Sequence, residues 1–391
     1  MITYEKMFET MAHHFRTDEQ VKWINYLYNR YLFGSEMAKV ESVMPTDSYF
    51  SKILNRGVSM ALIEAFKRSP LYGFYQQHSD ELLIGVRNSY LNIYYRLNNI
   101  AEVRLVGDGF ISCGIHPYFL RHSGNSNEVL TGVDIETLII DRYEAIKNLV
   151  ENKKNTTLEK VAQQMLVMQN NASPSSKWFC VDVEWARSFS CQAEKDSCIS
   201  ARMDIIAISK EAPHRVAVIE LKYGSKSISG DAGILKHIQD FKTLKEGSIH
   251  DGNRIDYYDG ICTDICNILN AYNALGIALP ETLKSLSKER FASQPEFYVL
   301  TVDNNPVSWG ATTPKQTMAA YLFSPNSFNY LAWDCRQPAK DNVQEKLGIN
   351  VLDASSSLPV TFIFSKQNVT TLQVNDILED NSYEIIRPAF D

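Results

Sequence analysis

Apolar positions along this chain change period several times, and each change predicts a change of element. Over residues 3–33, Phe8, Met11, Phe15, Val21, Ile24, Leu27 and Tyr31 recur at near-helical spacing, and VSMALIEAFKR (58–68) predicts a second helix ending before Ser69-Pro70. Residues 82–118 switch to period two. LLIGV, YLNIYYRL, AEVRLV and FISCGIHPY predict an antiparallel meander, with turn signals at Asn98-Asn99 and Gly107-Asp108-Gly109. Helical spacing returns over 134–170, broken at ENKKNTT, where Thr156 or Thr157 can cap the second helix. WFCVDVEWAR (178–187), ARMDIIAIS (201–209) and RVAVIELKYG (215–224) then predict strands, and DAGILKHIQDF opens a helix over 231–246. A helical region over 253–278, a strand at PEFYVLTVD (295–303), a helix near 315–323 and a strand at PVTFIFS (359–365) complete the pattern.

Both faces of 215–224 are apolar, so both must be covered, which predicts a sandwich with helices 158–170 and 231–246 on the sheet. In the second helix Ile234, Ile238, Phe241 and Leu244 form the core stripe, and Lys236, Gln239 and Asp240 fall away from it. Charged groups inside buried strands are costly unless they are paired or bind a metal, so Asp204, Glu220 and Lys222 call for a reason. If 202–209 and 215–222 pair around a turn centred near Ala212, Asp204 faces Glu220, and Lys222 points to the same face two residues on. Pairing of 178–186 with 201–209 around residue 194 brings Glu184 towards Asp204, across a longer loop. Carboxylates with one ammonium at a sheet end make a hard-oxygen site for Mg²⁺ with a cation beside it. The alternative is a buried Glu220–Lys222 or Asp204–Lys222 ion pair in an inert α/β domain.

Asp204, a spacer of fifteen residues and Glu220-Leu221-Lys222 resembles the D…(D/E)xK signature of the restriction-endonuclease-like, or PD-(D/E)xK, nuclease superfamily. The resemblance covers roughly residues 155–305, and Met203 stands where the motif's proline would be. It implies an α/β fold (α+β overall) with an αβββαβ core, preceded by the helical and antiparallel N-terminal region. It further implies phosphodiester hydrolysis, with Asp204 and Glu220 binding Mg²⁺ (or Mn²⁺ in its place) and the Leu221 carbonyl completing the coordination. Glu184 is a further candidate ligand on the register above. Lys222 would orient or deprotonate the attacking water, and Gln239 or Lys236 from the following helix, which also carries His237, would hold water or phosphate. The helix before the first core strand sometimes presents a Glu to the metal in this family. Glu159 is the nearest here, although a first-turn Glu also serves the helix dipole. DNA is the expected partner, with RNA as the alternative and a homodimer left open; restriction, repair or defence are the settings such nucleases serve. The rival reading is a nuclease-fold protein without turnover that acts as a nucleic-acid-binding or interaction module.

Composition changes this picture only in part. A chain of 391 residues has room for two or three domains, read as an accessory region over 1–133 and a nuclease-like domain with a C-terminal extension over 134–391. The net charge of −7 requires any nucleic-acid surface to be locally basic. One face of the second meander strand carries Tyr90, Asn92, Tyr94 and Arg96, while Leu91, Ile93, Tyr95 and Leu97 share the other. Such a face can stack bases and contact phosphate, or else pair tyrosines across strands. Lys226, in the polar connection GSKSISGDAG, is a second candidate for nucleic-acid contact. Seven cysteines without CxxC spacing favour reduced thiols in a cytoplasmic protein, with Cys262 and Cys266 as packing residues. The sequence carries neither an apolar run of signal-peptide length at its start nor the ~20 apolar residues of a membrane span. It also lacks the P-loop, GxSxG and HExxH motifs, and His13-His14 reads as a solvated helix face.

Overall fold

The computed structural model describes residues 56–389 apart from 108, 122–129, 153–156, 188–195, 197, 200–201, 229–232, 251, 310–311 and 334–341. All belong to one compact unit, 53–391, so the boundary expected at 133/134 falls inside a unit. The helix expected over 3–33 lies outside the described residues.

Helix α1 (Met60–Lys67) is capped by the Ser59 side chain, which accepts from Leu62 N–H. Ser69-Pro70 ends it and also starts α2 (Pro70–Gln77), because Ser69 caps the new helix and proline suits its first turn. Strands β1 (Leu82–Val86), β2 (Tyr90–Tyr95), β3 (Asn98–Val106), β4 (Phe110–Ile115) and β5 (Leu130–Gly132) form a five-stranded antiparallel sheet in chain order. The first hairpin turn between β2 and β3 is not at Asn98-Asn99. Tyr95 pairs with Asn98, and Arg96 and Leu97 form the loop with φ of 48° and 52°. Left-handed backbone costs a non-glycine residue about 1–2 kcal/mol, and here burial offsets it. Leu97 packs among Ala162 and Leu166, and its N–H donates to Gln164 Oε1 at 2.7 Å. The turn thus moves Leu97 away from Leu91, Ile93 and Tyr95, to the same apolar cluster as Tyr94.

Helices α3 (Ile135–Asp141), α4 (Tyr143–Glu151) and α5 (Leu158–Ala172) follow, the last capped by Thr157. Next come β6 (Trp178–Ala186), β7 (Arg202–Ser209), β8 (Val216–Tyr223) and α6 (Ile234–Glu246). The short ribbon β9 (Ser248–His250) and β10 (Asn253–Ile255) leads to α7 (Tyr257–Leu275), β11 (Glu296–Val302), α8 (Pro314–Leu322), β12 (Val360–Phe364) and β13 (Glu384–Ile386). Six of these strands make one mixed sheet in the order β13-β12-β11-β8-β7-β6. Neighbours β6, β7 and β8 are antiparallel, β8, β11 and β12 are parallel, and β13 is antiparallel to β12. The chain is therefore a mixed α/β protein.

Alternation along β7 and β8 splits the sheet's contacts as expected. Val216, Val218, Ile206 and Ile208 share a core with Ile234, Ile238 and Phe241 of α6. Ala217, Ile219, Leu221 and Ile205 share one with Ala162, Leu166 and Val167 of α5. Two helices therefore cover opposite faces, and the charged end of β8 projects on the α6 side. Among the described residues no helix is long and apolar enough to cross a membrane.

Candidate active site

Strands β7 and β8 pair with Ile205 opposite Ile219 and Ala207 opposite Ala217, and the next step of that register sets Asp204 opposite Glu220. Asp204 Oδ2 accepts the Leu221 backbone N–H at 2.7 Å, closing the ladder with a side chain. Asp204, Glu220 and Lys222 are all buried. Lys222 Nζ lies 2.7 Å from Glu220 Oε1 and 3.0 Å from His237 Nε2. The same His237 nitrogen lies 3.0 Å from Glu220 Oε1. An ammonium has no lone pair, so Lys222 donates to both, and the imidazole accepts in its Nδ1–H tautomer.

Electrostatics at this end of the sheet are out of balance. Burial, opposed by the Lys222 charge, pushes Glu220 up to about 7. Burial and then the Glu220 charge push Asp204 well above the usual aspartate range. Burial pulls the Lys222 ammonium down, but Glu220, Asp204 and Glu159 together outweigh it and raise it, so the lysine is a charged donor and not a base here. Glu220 Oε2 is buried with no hydrogen-bond partner among the described residues. Two buried carboxyls side by side, with a single ammonium for both, mark a place short of positive charge.

Among the described residues no three His, Cys, Asp or Glu side chains are arranged to hold a metal ion. Mg²⁺ is commonly held by one or two carboxylates with waters filling the rest of its shell. Asp204, Glu220 and the Leu221 carbonyl fit that smaller set, and the orphaned Glu220 oxygen is the donor that such an ion would take.

Other expected site residues are elsewhere. Glu184 is in register with Asp204, since Val183 pairs with Ile205 and Trp185 with Met203. Its backbone is left-handed, at φ 54°, and its carboxylate binds Arg202 at 2.6 Å. Lys236 pairs with Asp240 one turn along its own helix, and Gln239 is half-buried on that helix two residues past His237. The α6 side chain that reaches Lys222 is His237. Its spacing with Ile234, Ile238 and Phe241 is i, i+3, i+4 and i+7, the sheet-facing stripe, so the signal was present in the sequence. Glu159 does more than favour a helix dipole. Its carboxylate accepts the Tyr223 N–H at 3.3 Å, beside Lys222, and its charge acts on all three buried groups.

The meander residues do not form a free surface. Tyr94 is buried, and its hydroxyl accepts from Asn92 Nδ2 at 2.7 Å and from Arg87 Nη2 at 3.0 Å. Arg87 binds Asp182 of β6 at 2.6 Å, and Arg56 binds the same carboxylate at 2.9 Å. Asn92 and Tyr94 thus belong to a buried polar seam that joins the two sheets. Tyr90 lies under the Arg104 guanidinium, 4.0 Å from its ring centroid, and Arg96, in the turn, pairs with Glu151 at 3.0 Å. The Lys226 side chain lies outside the described residues.

Comparison with models of known protein families, with curated proteins and with solved structures finds no match to this chain.

Proposed function

We propose that the chain is a metal-dependent nuclease that hydrolyses phosphodiester bonds, with DNA as the expected substrate. The observation that carries the reading is the convergence of Asp204, Glu220, Lys222 and His237, with Glu220 Oε2 buried and unpartnered among the described residues. With the ribbon β9-β10 and helix α7 inserted between α6 and β11, the order α5-β6-β7-β8-α6-β11 also agrees with the αβββαβ order that the D…(D/E)xK resemblance implies. Bound by Asp204, Glu220 and the Leu221 carbonyl, Mg²⁺ would supply a Lewis acid and a more acidic water. As a charged donor Lys222 would offer its ammonium hydrogens to a phosphoryl oxygen, where negative charge gathers, while the proton of the attacking water would leave to solvent or to an ionised carboxylate of the pair. His237 holds the ammonium in place and, when neutral, can take up a proton from it. The Leu221 N–H fixes the Asp204 carboxylate. Glu159 adds negative charge at the end of β8, which favours a cation there.

A second reading has its own observation. Lys222 already neutralises Glu220 at 2.7 Å, and an ion pair of this kind can persist in a domain without turnover. Incubating the purified chain with end-labelled and with supercoiled DNA separates the two. Cleavage that appears with Mg²⁺ and stops with EDTA supports the enzyme. Intact DNA of both forms at high enzyme and Mg²⁺ excess, with RNA intact too, supports the relic.

A further inference from the structure

Strands β1 and β6 are edge strands of separate sheets. The Tyr272 hydroxyl joins them, 2.9 Å from the Ile84 carbonyl and 3.2 Å from that of Val181. Beside this junction lies a cavity of about 420 Å³, walled by β1, β6, the end of α5 and the residues after α7. That volume is in the range of small-molecule sites.

Three features narrow what the cavity takes. The first is that the β6 edge nearby is already satisfied. Asn171 Nδ2 donates to the Cys180 carbonyl at 2.8 Å, and Asn171 Oδ1 accepts the Cys180 N–H at 2.8 Å, so an added peptide strand finds this edge closed. The second is charge. Asp182, the one ionisable carboxylate in the wall, is held by Arg87 and Arg56, and Arg56 N–H also donates to the buried Asp264 carboxylate. The Asp182 charge is thus taken up by guanidiniums behind the wall, which leaves the lining no free charge to attract an ion.

The third is Tyr75, which lines the cavity and is 9% exposed. Its hydroxyl hydrogen-bonds to no described residue, whereas the neighbouring Tyr72 hydroxyl donates to the Leu275 carbonyl at 2.6 Å. Burial, and then the nearby Tyr72, push the Tyr75 hydroxyl up to about 12, so it is a neutral donor. A neutral hydroxyl that lines a cavity and is taken up by no neighbouring group is open to an acceptor on a ligand.

We propose that this cavity binds an uncharged, largely apolar small molecule that presents one hydrogen-bond acceptor, such as a carbonyl oxygen, to the Tyr75 hydroxyl. The site is separate from the nuclease reading and does not depend on it. The probe is 6-propionyl-2-(dimethylamino)naphthalene, neutral and fluorescent, with one carbonyl. Titrated into the full chain, it should bind saturably at one site with a blue shift. Tyr75→Phe should weaken it roughly fivefold, the share of one neutral hydrogen bond, at an unchanged melting temperature. Ala172→Trp, which fills the cavity from the end of α5, should abolish binding. The carbonyl-free 2-(dimethylamino)naphthalene should bind wild type and Tyr75→Phe alike. An absence of saturable binding to the wild type would overturn the proposal. So would equal affinity of the carbonyl probe for the wild type and Tyr75→Phe, which would place the probe away from the hydroxyl.

Discussion

Asp204→Asn is expected to lower Mg²⁺-dependent DNA cleavage by at least ~10³-fold and, at pH 8, to raise the melting temperature. The two effects share a cause. Asp204 is a buried carboxylate beside a second one, and burial with the Glu220 charge holds its pKa well above the ordinary range. Asparagine keeps an oxygen for the Leu221 N–H and removes the charge that the site tolerates poorly. The gain should be on the order of 1–2 kcal/mol, as when other strained functional groups are neutralised. Its pH dependence follows from linkage. A raised acid contributes stability that is present below its unfolded pKa and is lost as pH rises through its folded pKa. Wild type therefore loses this contribution with rising pH and the asparagine variant does not. Thermal melts of both proteins at pH 5 and pH 8 should diverge at the higher pH. A variant that melts below wild type at pH 8 would mean that the Asp204 charge stabilises the fold, contrary to this account.

Lys222→Ala is expected to act in the opposite sense on stability. The substitution removes the ammonium 2.7 Å from Glu220 and leaves a buried carboxylate beside the His237 imidazole. Breaking a buried pair from one side costs about 3–5 kcal/mol when the remaining charge cannot be neutralised. Glu220 can be neutralised by a proton. Its pKa lies at about 7 against an unfolded value of 4.5, and losing Lys222 moves it higher. The variant's deficit should then be small and nearly constant below pH 7, where both folded proteins keep that proton, and grow as pH rises above about 7, where wild type gives it up and the variant still holds it. Cleavage should fall by ~10²–10³-fold, the range for removing a donor aimed at charge that develops in the transition state. Chemical denaturation across pH 5 to 8 measures the first effect, and single-turnover cleavage the second. A pH-independent deficit would show that Lys222 supports the fold by packing and not by its charge.

The parts of this molecule that were legible in the sequence are those set by local periodicity. Both faces of 215–224 are apolar, which predicted a sheet covered on both sides, and a turn near Ala212 brought Asp204 opposite Glu220 with no knowledge of the rest of the chain. Less legible were features decided by distant partners. Tyr90, Asn92, Tyr94 and Arg96 read as one amphipathic face, yet Arg87 reaches 95 residues ahead to Asp182 and buries Asn92 and Tyr94 in a seam between sheets. No periodicity in the meander announces that its edge will meet another edge. The Arg96-Leu97 turn was hidden for a similar reason. Its left-handed backbone is held by Gln164 and by the packing of Leu97 against α5, and the asparagines beside it are the ordinary turn formers. His237 differs from both. It was named on this helix beside Lys236 and Gln239, to which the role was given, although its spacing with Ile234, Ile238 and Phe241 puts it on the sheet-facing stripe and theirs does not.

The most direct test of the central claim is calorimetric titration of Mn²⁺ into the wild-type chain and Glu220→Gln at pH 7, repeated in two buffers of different ionisation enthalpy. Burial raises the pKa of both Glu220 and Asp204, and an ion that binds their carboxylates lowers it again and releases the protons they hold at that pH. The account predicts saturable binding to the wild type, with apparent heats that differ between buffers because protons are released, and at least ~10-fold weaker binding to Glu220→Gln. Wild type that binds no Mn²⁺, or that binds it as tightly after Glu220→Gln and with no buffer dependence, would contradict a metal site at Asp204 and Glu220.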